Sequence, residues 1–244
     1  MQSCCHQTGR FTFDGSSCPA PLRGAAMAVP QPYRGIVVRL LHIDSSILGS
    51  RSKSRQLTAA IVAKLKQANP RIEIVYRDLA ATPPPHMTLA SLPGDHPSSV
   101  FAGPLDDVAQ RIRDESQRIL DEFMAADIVV LGAPMYNWSI PTQLKAWIDT
   151  IVVPGKTFLY GPQGPEEGLV GSKRIIVAIT RGVFYASRTA TISAEHAETY
   201  MRTVLSFLGV NNPEFVVAEG VTTGEENKAK ALVLALGAVQ QLVA

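Results

Sequence analysis

Ile36-Val37-Val38-Arg39-Leu40-Leu41-His42-Ile43 runs directly into Asp44-Ser45-Ser46-Ile47-Leu48-Gly49-Ser50-Arg51-Ser52-Lys53-Ser54. The first stretch is short, apolar and rich in β-branched residues, which suits a strand buried on both faces. The second is polar and serine-rich, and behind it Leu57, Ile61, Val62 and Leu65 recur at helical spacing. The same succession returns later. Asp127–Gly132 carries the run Ile128-Val129-Val130-Leu131, the loop Ala133-Pro134-Met135-Tyr136-Asn137-Trp138 follows, and Leu144, Trp147, Ile148, Ile151 and Val152 mark an amphipathic helix. Strand, loop and helix used in this way build an open parallel sheet. Its strand-to-helix loops gather at the carboxyl edge, where ligands bind.

The rest of the chain extends the alternation. Asn69-Pro70 ends the first helix. Ile72–Tyr76 reads as a second strand, closed by Asp78-Leu79, and Ile112, Ile119, Leu120 and Phe123 mark a helix. Pro141 suits the first turn of the helix after the third strand. Ile175–Thr180 and Phe215-Val216-Val217 read as strands four and five. Met201, Val204, Leu205 and Leu208 form a helix ended by Gly209, and Leu232, Leu236, Val239 and Val243 define a final helix. Thr82 to about Pro104, and Pro154 to Gly171, read as long loops rich in proline and glycine. The pattern predicts an α/β fold: a doubly wound five-stranded parallel sheet, order 2-1-3-4-5, with helices on both faces. The two loops quoted first then leave strands one and three, at the topological switch point.

Composition narrows the function. A chain of 244 residues, 46% hydrophobic, can bury one sizeable core. A net charge of +2 gives no case for nucleic acid, and no apolar run approaches a bilayer span. Cys4, Cys5 and Cys18 lie outside the strand and helix pattern, with neither zinc-ligand nor redox spacing. No metal site is expected, and a reducing cytoplasm fits. Met1 to about Arg34 lacks any hydrophobic period and reads as a disordered extension. Residues 35–244 form the folded domain, and Met27 is an alternative start. His6, His42, His86, His96 and His196 show no close ligand spacing, and His42 reads as a sheet residue rather than a base. Asp106-Asp107 and Glu166-Glu167 are expected to face solvent.

The chemistry concentrates in three loops. Ser46, Ser50, Ser52 and Ser54, with Arg51, Lys53 and Arg55, place hydroxyls and positive charge at a helix N-terminus, which suits a phosphate. Serines also cap helices that bind nothing. Gly-x-Gly-x-x-Gly and the Walker lysine motif are absent, so ordinary dinucleotide and nucleoside-triphosphate sites lose support. Met135, Tyr136, Asn137 and Trp138 stand where a polar loop is usual. A flat isoalloxazine ring would cover them, with Asn137 bonding its edge; packing beneath the loop is the alternative. Thr180-Arg181-Gly182-Val183 ends the fourth strand at the same edge. Backbone amides or Arg181 there would stabilise negative charge on a reduced flavin, unless it is a plain strand-end turn. Together the loops suggest bound FMN. No Gly-x-Ser-x-Gly elbow supports a hydrolase.

Several separated motifs then resemble one family. Ala133-Pro134-Met135-Tyr136-Asn137, Thr142-Gln143-Leu144-Lys145, Gly155-Lys156-Thr157-Phe158, Gly164-Pro165-Glu166 to Gly168-Leu169, Thr180-Arg181-Gly182 and Ala218-Glu219-Gly220 are similar to the FMN-dependent NADH:quinone oxidoreductases, or NADH-azoreductases. The resemblance runs from about Ile36 to the C-terminus. It implies a flavodoxin-like fold, a cytoplasmic homodimer, NADH or NADPH as donor, and quinone or azo acceptors. It makes Ser46 the first FMN-binding serine and assigns Ser52, Lys53 and Ser54 to the phosphate loop. Met135, Tyr136, Asn137 and Trp138 fall to the ring, and Thr180, Arg181, Gly182 and Val183 to its edge. Trp138, Phe158 and Tyr160 become the substrate wall, with Asn137 and Tyr160 as positioning candidates. Val183 replaces a common glycine and Trp138 a common phenylalanine. The flavin carries the chemistry, and one shared face predicts ping-pong kinetics. A flavodoxin-like electron carrier and a flavin-free interaction domain on the same fold are the alternatives. The +2 charge argues against the carrier, which would dock through an acidic face.

Overall fold

A computed structural model describes residues 37–185 and 193–243. The expected N-terminal extension lies outside them. Five strands form the sheet: β1 (Arg39–Asp44), β2 (Glu73–Asp78), β3 (Ile128–Pro134), β6 (Arg174–Arg181) and β7 (Glu214–Glu219). Their order is β2-β1-β3-β6-β7 and every pairing is parallel, so strands one to five of the sequence pattern take the order 2-1-3-4-5. β1 begins later than the apolar run that announced it, because Val37 and Val38 precede the ladder.

The helices are α1 (Lys53–Ala68), α2 (Asp107–Ala125), α3 (Thr142–Ile151), α4 (Ala197–Phe207) and α5 (Glu225–Gln241). α1 and α5 cover one face of the sheet, where Leu57, Ile61, Leu65, Ala235 and Val239 meet Leu40, Val130, Ile176 and Val216. α2, α3 and α4 cover the other, where Phe123, Trp147, Ile148, Met201 and Leu205 meet Leu41, Val129, Leu131 and Val177. Alternate residues of β3 therefore serve opposite cores, and all seven of its residues are buried. That two-sided burial is why the strand reads as continuous rather than alternating.

Two expectations are corrected. The stretch from Pro154 to Gly171 is not simply a loop. It holds an antiparallel hairpin of β4 (Phe158–Gly161) and β5 (Gly164–Gly168). The Thr157 hydroxyl fixes its base by donating to Ile151 O at 2.9 Å and accepting from Val153 N at 2.9 Å. The final helix also turns a different face inward. Leu236 and Val243 are exposed, while Ala235 and Val239 are buried with Ala231 beside them. α5 is apolar on several sides, and small alanines let it approach the sheet where leucines would hold it off. Among the described residues no helix is long and apolar enough to cross a membrane.

Candidate functional site

The β1 loop starts from a fixed floor. Asp44, the last residue of β1, accepts from Thr58 Oγ1 at 2.8 Å and from Tyr76 OH at 3.1 Å. Gly132 on β3 stands so close that a Cβ there would come within 2.9 Å of Asp44 Oδ1. Burial works against the charge of Asp44, but His42, Thr58 and Tyr76 outweigh it and hold the carboxyl below its ordinary value. Arg55 locks the loop above. Its guanidinium pairs bidentately with Asp78 at 2.7 Å and donates to Ser46 O at 2.8 Å. It also donates to Tyr76 OH at 3.0 Å. Arg55 thus holds backbone rather than adding free charge to the loop.

The serines line the strand-to-helix turn. Ser52 caps α1, accepting from Arg55 N at 3.3 Å, and its Oγ lies 3.0 Å from Ser54 Oγ. Ser46 Oγ accepts from Leu48 N and lies 3.0 Å from Tyr136 OH. Ser46, Ser52 and Ser54 are all buried, whereas Lys53 is half-buried and Ser50 exposed. A phosphate held here would take over the serine hydroxyl bonds and meet the first amides of α1, with Lys53 beside them.

The β3 loop is a tight turn. Tyr136 N donates to Ser139 O at 2.9 Å and Ser139 N returns the bond to Tyr136 O at 3.2 Å. The two central residues, Asn137 and Trp138, have φ of 48° and 71° and are the only non-glycine residues described with positive φ. Both signs belong to a primed turn, whose second central position normally takes glycine. Trp138 pays a steric cost there, and its side chain is 59% exposed. The third loop joins the second through Met135 N, which donates to Thr180 O at 2.8 Å.

Arg181 departs from its expected role as a free cation at a ring edge. Its side chain is 5% exposed and surrounded by carboxylates: Glu219 at 2.5 Å, Glu198 at 2.5 Å and Glu195 at 3.3 Å. Its guanidinium is therefore engaged with protein carboxylates rather than standing as a lone cation, although Nε keeps no hydrogen-bond partner. Gly182 O accepts from Thr222 N and Oγ1, and Val183 is exposed. Phe158 is also corrected as a substrate wall. It is 3% exposed and packs on Phe207 with ring centroids 4.7 Å apart. Tyr160, 65% exposed, rests edge-on against it. Tyr160 keeps an open face and Phe158 supports it.

Beside the β3 loop lies an open cavity of about 680 Å³, a size within the usual range for small-ligand sites. Of the ring loop named from the sequence, Met135, Tyr136 and Asn137 line it and Trp138 does not. Ile47, Ser139, Ile140, Pro141, Thr142 and Gln143 line it too and were missed as site residues. Thr142 and Gln143 open α3 behind Pro141, which gives the helix no side-chain cap. That proline-led, uncapped start was the available signal. The donor set fits a planar ring with a phosphorylated tail: buried hydroxyls and the first amides of α1 in the β1 loop, and a mostly apolar crevice beside the β3 loop. The three loops are brought together by two short links, Ser46 to Tyr136 and Met135 to Thr180. Among the described residues no group of His, Cys, Asp and Glu could hold a metal ion.

Comparison with known proteins gives a consistent answer. A family described by the flavodoxin-like fold matches residues 38–243. An FMN-dependent NADH:quinone oxidoreductase of Methylobacterium radiotolerans is 57% identical over 207 residues, covering 85% of this chain and 100% of the relative. One of the same name from Gluconacetobacter diazotrophicus is 53% identical over 196 residues, covering 80% and 94%. The crystal structure of an azoreductase from Bacillus anthracis superposes with a TM-score of 0.72 at 28% identity, covering 84% of this chain and 100% of that one.

Proposed function

The chain belongs to the flavodoxin-like family of FMN-dependent NADH:quinone oxidoreductases, and from that premise we propose that it moves electron pairs from NADH to a quinone, and to aromatic azo compounds as a second acceptor class. The observation that carries this reading is the contact between Ser46 and Tyr136, 3.0 Å apart, which joins a phosphate-type loop to a ring-type loop. FMN, when bound, supplies a ring that accepts two electrons and gives them up again.

The protein's own work is binding and orientation. Ser46, Ser52, Ser54 and Lys53 hold the phosphate, with the α1 amides. Met135, Tyr136, Asn137 and Trp138 hold the ring, and the backbone of Thr180, Arg181, Gly182 and Val183 faces its polar edge. Asn137 and Tyr160 position the substrate. Trp138 and Tyr160 are both exposed, and the room for a flat molecule is proposed against their open faces. NADH, or NADPH, and the acceptor use that room in turn, so double-reciprocal plots at several quinone concentrations are parallel. An azo substrate needs two such turnovers for cleavage to two amines.

A homodimer completes the reading. Val100 and Phe101 are about three-quarters exposed, 75% and 74%, and apolar side chains so open call for a cover. Cytoplasmic action accords with cysteines confined to the first eighteen residues. The test is anaerobic mixing of NADH with the FMN-loaded protein, then with quinone or azo acceptor. Bleaching by NADH and recovery on adding acceptor, with no other protein present, supports an enzyme. A colourless protein that takes up no FMN overturns the reading, and converging kinetic lines overturn the shared face.

A further inference from the structure

We propose that Arg181 is a positioning residue for the strained tip of the β3 loop, acting through the start of α4. The path is continuous. Arg181 ends β6 and lies opposite Glu219 in the β6–β7 register. Its guanidinium reaches from β7 to the chain entering α4, touching Glu219, Glu195 and Glu198. Glu195 in turn accepts from the first amides of α4, Ala197 N at 3.1 Å, Glu198 N at 2.9 Å and Thr199 N at 3.2 Å. The residue between these anchors is His196, and its N–H donates to Trp138 O at 3.0 Å.

That bond falls where it is most needed. The reciprocal Tyr136–Ser139 bonds fix the ends of the turn but not its tip. Trp138 is a bulky residue at φ 71°, a conformation that persists only when surrounding contacts over-determine it. The His196 amide supplies the contact at the tip, and Arg181 holds His196 in place by gripping Glu195 just before it and Glu198 two residues after it. One guanidinium shared by three carboxylates in a largely buried setting ties β6, β7 and the start of α4 together, and removing it takes away the cation that all three share. The assignment to a flavin-facing Trp138 rests on the functional reading above, but the coupling itself belongs to the protein without cofactor.

The test uses that state. The chain has two tryptophans, Trp138 and Trp147, so the flavin-free protein labelled with fluorotryptophan gives two fluorine NMR signals, assigned by Trp138→Phe. In Arg181→Gln the Trp138 signal shifts and broadens, while the signal of buried Trp147 stays in place. Arg181→Lys keeps the charge without the forked geometry and restores the line part of the way. Arg174→Gln is the control: Arg174 pairs with Glu214 at the other end of the same strands and leaves both signals unmoved. Should Arg181→Gln fail to fold, Glu198→Gln gives the same shift at smaller size. A Trp138 signal at its wild-type position in a folded variant overturns the proposal. So does equal movement of both tryptophans, which would mean general loosening. Failure to bind FMN would overturn the function and leave this coupling standing.

Discussion

The β1 and β3 loops meet through a single pair of hydroxyls, yet they are built in opposite ways. The β1 loop is relaxed. Its one positive φ falls on Gly49, its serines other than Ser50 are buried, and Arg55 bonds its backbone from below. The β3 loop is strained. Two consecutive non-glycine residues stand at positive φ, its tip is exposed, and the bond to that tip comes from the start of α4. An anion can be held by ordinary helix-capping groups, which need no special conformation. A planar ring needs a side chain aimed outward against its own burial, and that aim costs conformational energy. The two halves of one site should therefore respond differently to mutation.

The largest expected effect separates them by charge. Ser52→Asp retains the α1 cap, since aspartate caps as well as serine, but puts a carboxylate at the proposed phosphate position. FMN binding should weaken by about a hundredfold, ~2.7 kcal/mol, while riboflavin, which has no phosphate, should bind within roughly twofold of wild type. Quenching of flavin fluorescence on titration measures both. Parallel losses for the two flavins would mean the β1 loop is not a phosphate site.

The next effect separates them by strain. Trp138→Gly removes an exposed ring and relieves a disfavoured backbone. The flavin-free protein should become more stable to urea by up to about 1 kcal/mol. FMN and riboflavin should both bind about tenfold more weakly, from the loss of aromatic stacking. Stability and binding moving in opposite directions is the signature of a loop strained for its function. A variant that is both less stable and unchanged in flavin binding would remove Trp138 from the site and the strain from the account.

Much of this was legible in the sequence, and the misses have physical causes. Strands with both faces buried leave continuous apolar runs, so β3 and β6 were plain, and their alternation with helices set the sheet order. Short pairings were not visible: β4 and β5 are held by Thr157 and the ladder between them, not by an apolar period. α5 was read by its leucines, whereas alanines face the sheet. Among the loops, the oddity of Met135-Tyr136-Asn137-Trp138 pointed to a stretch that borders the cavity of about 680 Å³, because apolar and aromatic residues in a loop break the polar pattern. Side-chain direction was the hidden part. Arg181 and Phe158 sit at the expected positions along the chain but turn inward, toward glutamates and Phe207 that lie far away in sequence.

The smallest effect compares the two clusters beneath the loops by titration. Asp44 and Asp78 under the β1 loop, and Glu195 under the β3 loop, all have carboxyls held below their ordinary values. Burial opposes ionisation at Asp44 and Glu195 and is outweighed, whereas at Asp78 the Arg55 pairing leads. Lowered groups stabilise the fold above their unfolded values, 3.8 for aspartate and 4.5 for glutamate, and that contribution is lost as pH falls below them. Both clusters should therefore loosen together in acid. Burial, with the Asp44 charge beside it, pushes Tyr76 in the Arg55 cluster from 10.0 up to about 12, and burial does the same to Tyr200 on α4. A raised group contributes stability below pH 10 that fades as pH climbs toward 12. Absorbance titration of the tyrosines should show a late phase near pH 12 that shrinks in Tyr76→Phe and shrinks again when Tyr200→Phe is added. A late phase untouched by Tyr76→Phe would mean that the Tyr76 hydroxyl is not held between Asp44 and Arg55, and that the β1 loop stands on a looser floor than its bonds imply.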